Sequence, residues 1–336
     1  MENEETPRTI CERWWDSHSS KGDPGTQEKR DPLDKPTQEE IEKRFVRHYC
    51  TLMEQHLPGI DNCYPPAMAF MDTLHNDVVA AFLLAAEHNE KEQTTTLYTA
   101  LDRYQKYRAL WPENLALEET MLAFRRRILP PGHTDIAISL NNLAEWYREQ
   151  ERYAEAEALF QESLLIDRAA IPERRDGIAS ALNNLALVYD SQGRYAEAEA
   201  HNKEALTIWR AMMPPEPVKL AYTLNNLGEV YRVQGLYAQA LPLHQEALAL
   251  RRKSLHGRHP DIAQSLNNLS ALYFDQGQYS ASEPLLREAL SILRAAMGDE
   301  HPVTQSIMAN YANLQYCKQR SYGTGLRGWW KRILGR

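Results

Sequence analysis

The chain has 336 residues, 43% of them hydrophobic and 25% charged, and its formal net charge is −8, which argues against a nucleic-acid partner because such partners want a basic face. Four cysteines, Cys11, Cys50, Cys63 and Cys317, stand far apart without C-x-x-C spacing, which excludes a disulfide framework and a cysteine zinc site. No run of 18 apolar residues reads as a membrane span, and Met1–Glu5 is acidic where a signal peptide would be basic, so the expected location is cytoplasmic.

In chain order, residues 1–36 hold four prolines and many charges with little periodicity, and are predicted to be a disordered arm. Trp14 and Trp15 stand out there, either as a docking segment or as a local contact with the folded body. Residues 37–131 are predicted to be helical. Thr37-x-x-Glu40 has the form of a capping box, and Ile41, Phe45, Tyr49, Leu52 and Met53 give a helix running to about Leu57. After Pro65-Pro66, Phe70, Met71, Leu74, Val78, Phe82 and Ala85 mark a second run. A degenerate helix pair over about 94–129, with Leu101, Tyr104, Leu117 and Leu122, reads as an atypical capping repeat.

From 132 to 320 the chain repeats itself. Asn-Asn-Leu-small recurs every 42 residues, at Asn141–Ala144, Asn183–Ala186, Asn225–Gly228 and Asn267–Ser270, with a decayed fifth copy at Ala309–Ala312. Each copy has helical spacing: Leu182, Leu185, Ala186 and Tyr189 fall at i, i+3, i+4 and i+7. Gln192-Gly193-Arg194 then stops the helix, and Tyr195, Ala198 and Ala205 open a second one running to about Trp209. The unit is helix, tight turn, helix. Neither helix can bury its stripe alone, so the units must stack. Ala144, Ala186, Gly228 and Ser270 admit a close neighbour, and the tyrosines one turn on fill the space.

The pattern Leu-x2-Leu-small-x2-Tyr followed by Ala-x3-large resembles the tetratricopeptide repeat (TPR). The 42-residue step, the paired Asn, and the linkers His259-Pro260-Asp261 and Gly298–Pro302 are similar to the kinesin-light-chain type. The resemblance implies an all-α, right-handed superhelical solenoid with an irregular N-terminal helical region. Asn202 and His244 stand where a bulky apolar residue is usual, so their helices are expected to pack less tightly. The stretch Arg44–Phe124, through Arg47-His48-Tyr49, Met71-Asp72-Thr73-Leu74 and Asn76–Phe82, is also similar to the helical region before TPR arrays in signalling NTPases. No G-x-x-x-x-G-K-[ST] is present, so that kinship would make the chain a sensor or interaction half.

Residues 321–336 form a basic tail with Trp329-Trp330. After Glu300 there is no acidic residue, and Lys318, Arg320, Arg327, Lys331, Arg332 and Arg336 add +6. The segment 325–336 would suit an anionic membrane surface or an acidic partner; the alternatives are a frayed end or a tail folded on acidic repeats.

The candidate site lies on the first helices, opposite their core stripe. At about 100° per residue, Asn142 points roughly 200° from Leu140. The TPR resemblance places that side in a concave groove. Asn142, Asn184, Asn226 and Asn268 are the candidate contacts with a bound peptide, since each amide offers donor and acceptor together. Asn141, Asn183, Asn225 and Asn267 flank the core and are expected to bond neighbouring helices. Tyr222, Leu187, Val233, Arg148 and Arg232 differ between repeats and would set specificity. Glu145, Glu149, Asp190, Glu229 and Asp275 favour a ligand with positive charge, tempered by Arg148 and Arg232.

No catalytic residue, cofactor or metal is expected. There is no HExxH, G-x-S-x-G or glycine-rich phosphate loop, and His133, His259 and His301 recur in linkers. The expected function is a protein-interaction adaptor or scaffold for a partner peptide or helix. The alternative is a regulatory subunit of a separately encoded NTPase or protease. Sequence leaves the oligomeric state open. Leu227→Ala, which removes one rung of the repeating stripe, should lower unfolding stability by about 2–5 kcal/mol in a denaturant melt; a loss below about 1 kcal/mol would mean that the stripe is not core.

Overall fold

The computed structural model describes residues 5–18, 36–61, 65–108 and 111–333; of residues 61, 65, 106–108, 111–114 and 321–333 it describes the backbone alone. Among the described residues there are fourteen helices and no strand. The chain forms two compact units, Met1–Glu162 and Ser163–Arg336.

The first unit opens with α1 (Pro7–His18), α2 (Gln38–Asp61), α3 (Pro65–Glu87), α4 (Lys91–Arg108) and α5 (Trp111–Ile128). It continues through α6 (Thr134–Glu149) into α7 (Tyr153–Ala169), within which the units divide. The capping box forms as expected: Thr37 N donates to Glu40 Oε2 at 2.9 Å, and Glu40 N donates to Thr37 Oγ1 at 3.3 Å. Phe45, Met53, Met71, Phe82, Leu97, Leu101 and Phe124 make the core. The helix α3 is long and apolar enough to cross a membrane by composition, but Met71, Val78, Ala81 and Phe82 face that core.

The disorder expected of residues 1–36 is corrected at α1. Pro7 takes a first-turn position, where its missing N–H costs nothing, and Ile10 and Cys11 are buried. Trp14 stacks on His18, with ring centroids 5.0 Å apart, and meets Phe45 edge-on at 5.5 Å; the Arg44 guanidinium lies 5.3 Å from the Trp15 ring. The two tryptophans therefore make local contacts. Of the predicted arm, residues 1–4 and 19–35 lie outside the described residues.

The second unit holds the end of α7, then α8 (Arg175–Ser191), α9 (Tyr195–Ala211), α10 (Pro217–Val233), α11 (Tyr237–Ser254), α12 (Pro260–Asp275), α13 (Tyr279–Met297) and α14 (Pro302–Ile333). The pairs α8/α9, α10/α11 and α12/α13 are hairpins, each packed on the next. The turns are Schellman caps. Gly193, Gly235 and Gly277 hold φ between +71° and +75°, and in the α8/α9 turn Gly193 N bonds Asp190 O at 2.9 Å while Arg194 N bonds Tyr189 O at 2.8 Å. In the first unit, Glu151 takes the same turn position with φ 60°. The linker histidines prove to be helix caps: His133 and His259 Nδ1 accept from Asp135 N and Asp261 N at 3.1 and 3.2 Å.

Asn202 and His244 are buried, at 1% and 0% exposed, and Asn202 leaves both side-chain amide atoms without a hydrogen-bond partner. His244 fills the space that Gly228 leaves. A Cβ at Gly228 would stand 2.7 Å from His244 Cε1. His244 also joins a buried polar chain across three helices. Its Nδ1 lies 3.1 Å from Asn225 Oδ1, Asn225 Nδ2 donates to Ser265 Oγ at 2.9 Å, and Arg251 Nη1 donates to the same hydroxyl at 3.0 Å. With Asn225 Oδ1 as acceptor, the imidazole donates through Nδ1 and is neutral, and burial holds its pKa down at about 4.

α14 runs on as helix through the basic segment to Ile333, and no proline interrupts it after Pro302.

Gly228→Ala should lower unfolding stability by about 1–3 kcal/mol through overpacking against the imidazole. Adding His244→Asn should recover most of the loss, since Ala186 and Asn202 stand at the equivalent positions one repeat earlier. A single variant as stable as the parent would contradict this packing.

Candidate functional site

In the second unit the candidate side of α8, α10 and α12 carries Leu187 and Asp190, then Tyr222, Glu229, Arg232 and Val233, then Gln264, Asn268 and Asp275, with Arg232 one turn after Gly228 and so at its edge towards the hairpin partner. Tyr222 and Val233 are exposed large hydrophobics, at 43% and 46%. Leu187 is half-buried.

Arg232 lies at the centre of the charged part. Its Nε and Nη2 donate to Glu229 Oε2 and Oε1 at 2.8 and 2.6 Å, and its Nη1 reaches Asp275 on the next first helix. Glu229 foremost, with Asp275, holds the guanidinium firmly charged. Asp190, one repeat earlier, has Oδ1 buried without a hydrogen-bond partner. Burial first, then the nearby charge of Glu229, pushes its carboxyl up to about 6, against the pull of Arg232. Three carboxylates thus surround one cation.

The asparagines also bond between repeats. Asn226 Nδ2 donates to Asn183 Oδ1 at 2.9 Å, and Asn310 Nδ2 donates to Asn267 Oδ1 at 3.1 Å. In these two pairs the second Asn of one repeat bonds the first Asn of the repeat before it. Asn184 is buried, and Asn268 is half-buried and accepts from Gln264 Nε2 at 3.0 Å. In the first unit Asn142 Nδ2 donates to the Tyr98 hydroxyl at 2.9 Å, so Tyr98 takes the place of an asparagine in the degenerate leading pair. Arg148 is half-buried and pairs with its neighbour Glu149.

Sequence reasoning placed Asp190 at the edge of this side but missed its burial. The available signal was the alternation Arg148, Asp190, Arg232 at one repeat position, which puts a carboxylate between two guanidiniums along the sequence. Away from this side, two open clefts of about 600 and 700 Å³ lie at equivalent positions two repeats apart, lined in part by Leu290, Arg294 and Tyr311 and by Leu206, Arg210 and Leu227. Among the described residues no three His, Cys, Asp or Glu side chains gather to hold a metal ion.

Residues 135–211 and 219–295 match the tetratricopeptide repeat family model. No curated protein matches the chain. The fold is similar to that of BtubC (BKLC) from P. vanneervenii, with a TM-score of 0.50 and 22% identity over 78% of this chain and 94% of that one. A Podosopora anserina protein described as a kinesin light chain with nearly identical TPR-like repeats matches with a TM-score of 0.45 and 21% identity, over 64% of this chain and 98% of that one.

Asp190 yields a sign that can be checked. Its folded pKa lies above the unfolded value, so the folded state binds the extra proton between about pH 4 and 6 and loses stability as pH rises through that window. Asp190→Asn should therefore raise stability by about 1–2 kcal/mol near pH 7.5, with the gain shrinking towards pH 4. A pH-independent difference between the two proteins would remove Asp190 from the site's electrostatics.

Proposed function

We propose that these tetratricopeptide repeats make the chain a non-enzymatic adaptor. In the second unit the outward side of α8, α10 and α12 holds an extended or helical segment of a partner protein. Asn142 and Arg148 offer the same side of α6 in the first unit. The observation that supports this reading is that α10 exposes Tyr222 and Val233 and also carries Arg232, which pairs with Glu229 and with Asp275 of α12 and draws on the Asp190 carboxyl of α8. A buried carboxylate oxygen that its own fold leaves without a hydrogen bond, as at Asp190, suits a site that a ligand completes.

The partner segment is one that sets a Lys or Arg beside an apolar side chain. The cation would meet the surplus carboxylate, and the apolar group would cover Tyr222 and Val233, with Leu187 beneath. Charge on both sides then selects the partner and speeds its arrival more than it adds affinity. Asn184, Asn226 and Asn268 contribute at the floor of this surface. Asn226 holds Asn183 at the same time, so the ladder that sets the helix stagger also sets the spacing of the recognition side chains.

Selection from a peptide display library on the intact chain should enrich sequences with Lys or Arg next to aromatic or aliphatic residues. Tyr222→Ser together with Val233→Ser should weaken the selected peptide at least tenfold in a calorimetric titration, about 1.4 kcal/mol, while the thermal melt stays unchanged. Equal affinity in a folded double variant would move recognition elsewhere.

A further inference from the structure

The end of α14 is not used by the proposed recognition surface, and α14 is much longer than α13, against which it packs. α13 has 19 residues and α14 has 32, which at 1.5 Å per residue is about 28 Å against about 48 Å. The two helices run alongside each other as far as Lys318, which pairs with Glu283 in the first turns of α13. Ile307 and Leu314 are buried along that stretch. One turn beyond Lys318, α14 draws level with Tyr279, where α13 begins, and the helix continues to Ile333.

The sequence of that overhang is ordered. Tyr322, Leu326, Trp329, Trp330 and Ile333 occupy i, i+4, i+7, i+8 and i+11, positions that fall within an arc of about 100° on a helix. Arg327, Lys331 and Arg332 fall outside the arc, and no acidic residue follows Glu300. A narrow apolar arc with adjacent tryptophans and a cationic remainder is the composition of a helix that lies in a lipid headgroup layer.

We propose that α14 beyond Lys318 is a docking helix for an anionic lipid surface. An acidic protein surface would meet the cations and leave the arc of Trp329 and Trp330 uncovered. A second copy would cover the arc but bring Arg327, Lys331 and Arg332 against the same three charges. A bilayer rich in anionic headgroups satisfies both sides at once. With the whole chain at −8, such a surface repels the remainder of the protein, so attachment is by the C-terminal helix with the repeats held away. The adaptor would then present its partner segment at a membrane surface.

The test is flotation of the full chain with vesicles of phosphatidylcholine alone or with about one-third phosphatidylglycerol. The chain should float with the anionic vesicles only and be released by about 0.5 M salt, as the screening of surface charge requires. Lys331→Gln with Arg332→Gln should weaken partition about thirtyfold, on roughly 1 kcal/mol for each cation. Trp329→Ser with Trp330→Ser should weaken it more than tenfold at unchanged melting temperature. Tyr222→Ser with Val233→Ser should float like the parent, which separates this proposal from peptide recognition. Absence of flotation on anionic vesicles, equal flotation on neutral ones, or unaltered flotation of either C-terminal variant would overturn the proposal. So would a solution dimer that only the tryptophan variant dissolves while flotation persists.

Discussion

The structure depends on one constraint: a single hairpin of this chain has more apolar surface than its two helices can cover between themselves. Leu224, Leu227 and Tyr231 on α10 and Ala240 and Leu248 on α11 are buried in one cluster with Leu266, Leu269 and Leu272 of the next hairpin. Burial of that kind contributes about 25 cal/mol per Å² and has no direction of its own. Direction comes from polar groups inside the stack. The chain His244, Asn225, Ser265 and Arg251 and the Asn183–Asn226 pair cross from one helix to the next, and a slip of the stagger would leave them unbonded in the interior. An orphaned buried group costs about 1–3 kcal/mol, so the register is guarded by penalties more than by attractions.

The repeats keep the same step while exchanging the side chains that occupy it. At the contact where Gly228 faces His244, the equivalent residues are Ala144 and Phe160, Ala186 and Asn202, and Ser270 and Leu286. Where Arg125 bonds Asp135 O and Ser139 in the first unit, Arg251 bonds Asp261 O and Ser265 in the second. Between them Asp167 stands at the same position, so close to Gly177 that any side chain there would collide with its carboxylate. On the outer side Arg126–Glu162, Arg168–Glu204, Arg210–Glu246 and Arg252–Glu288 repeat one ion pair across successive second helices. Each is half-exposed and worth at most about 1 kcal/mol, so the series supports a step already set by the interior.

The helices and turns were legible because 3.6-residue periodicity, the glycines at the turns and the 42-residue recurrence all point the same way. Three features escaped for identifiable reasons. Helix α1 is short and lies among prolines, and its burial depends on α2 and α3, which composition cannot show. The tightness around His244 depends on Gly228 opposite it, a pairing across the hairpin. The asparagine rows were divided into structural and recognition roles by angle on one helix. The structure joins them, because Asn183 and Asn226 belong to neighbouring helices whose offset cannot be read from one of them. For the proposed recognition surface, Tyr222, Val233 and Arg232 were named from the sequence, whereas the burial of Asp190 needed the fold.

The central claim, that each hairpin is held by its neighbours, is tested most directly by native-state amide hydrogen exchange on the full chain carrying Leu266→Ala. Leu266 is fully buried in α12. The account predicts that protection falls first in α11 to α14 and stays near the parent level in α8 and α9, as a stack coupled only through adjacent hairpins requires. A uniform loss of protection throughout Ser163–Arg336 would show a single cooperative globule and contradict it.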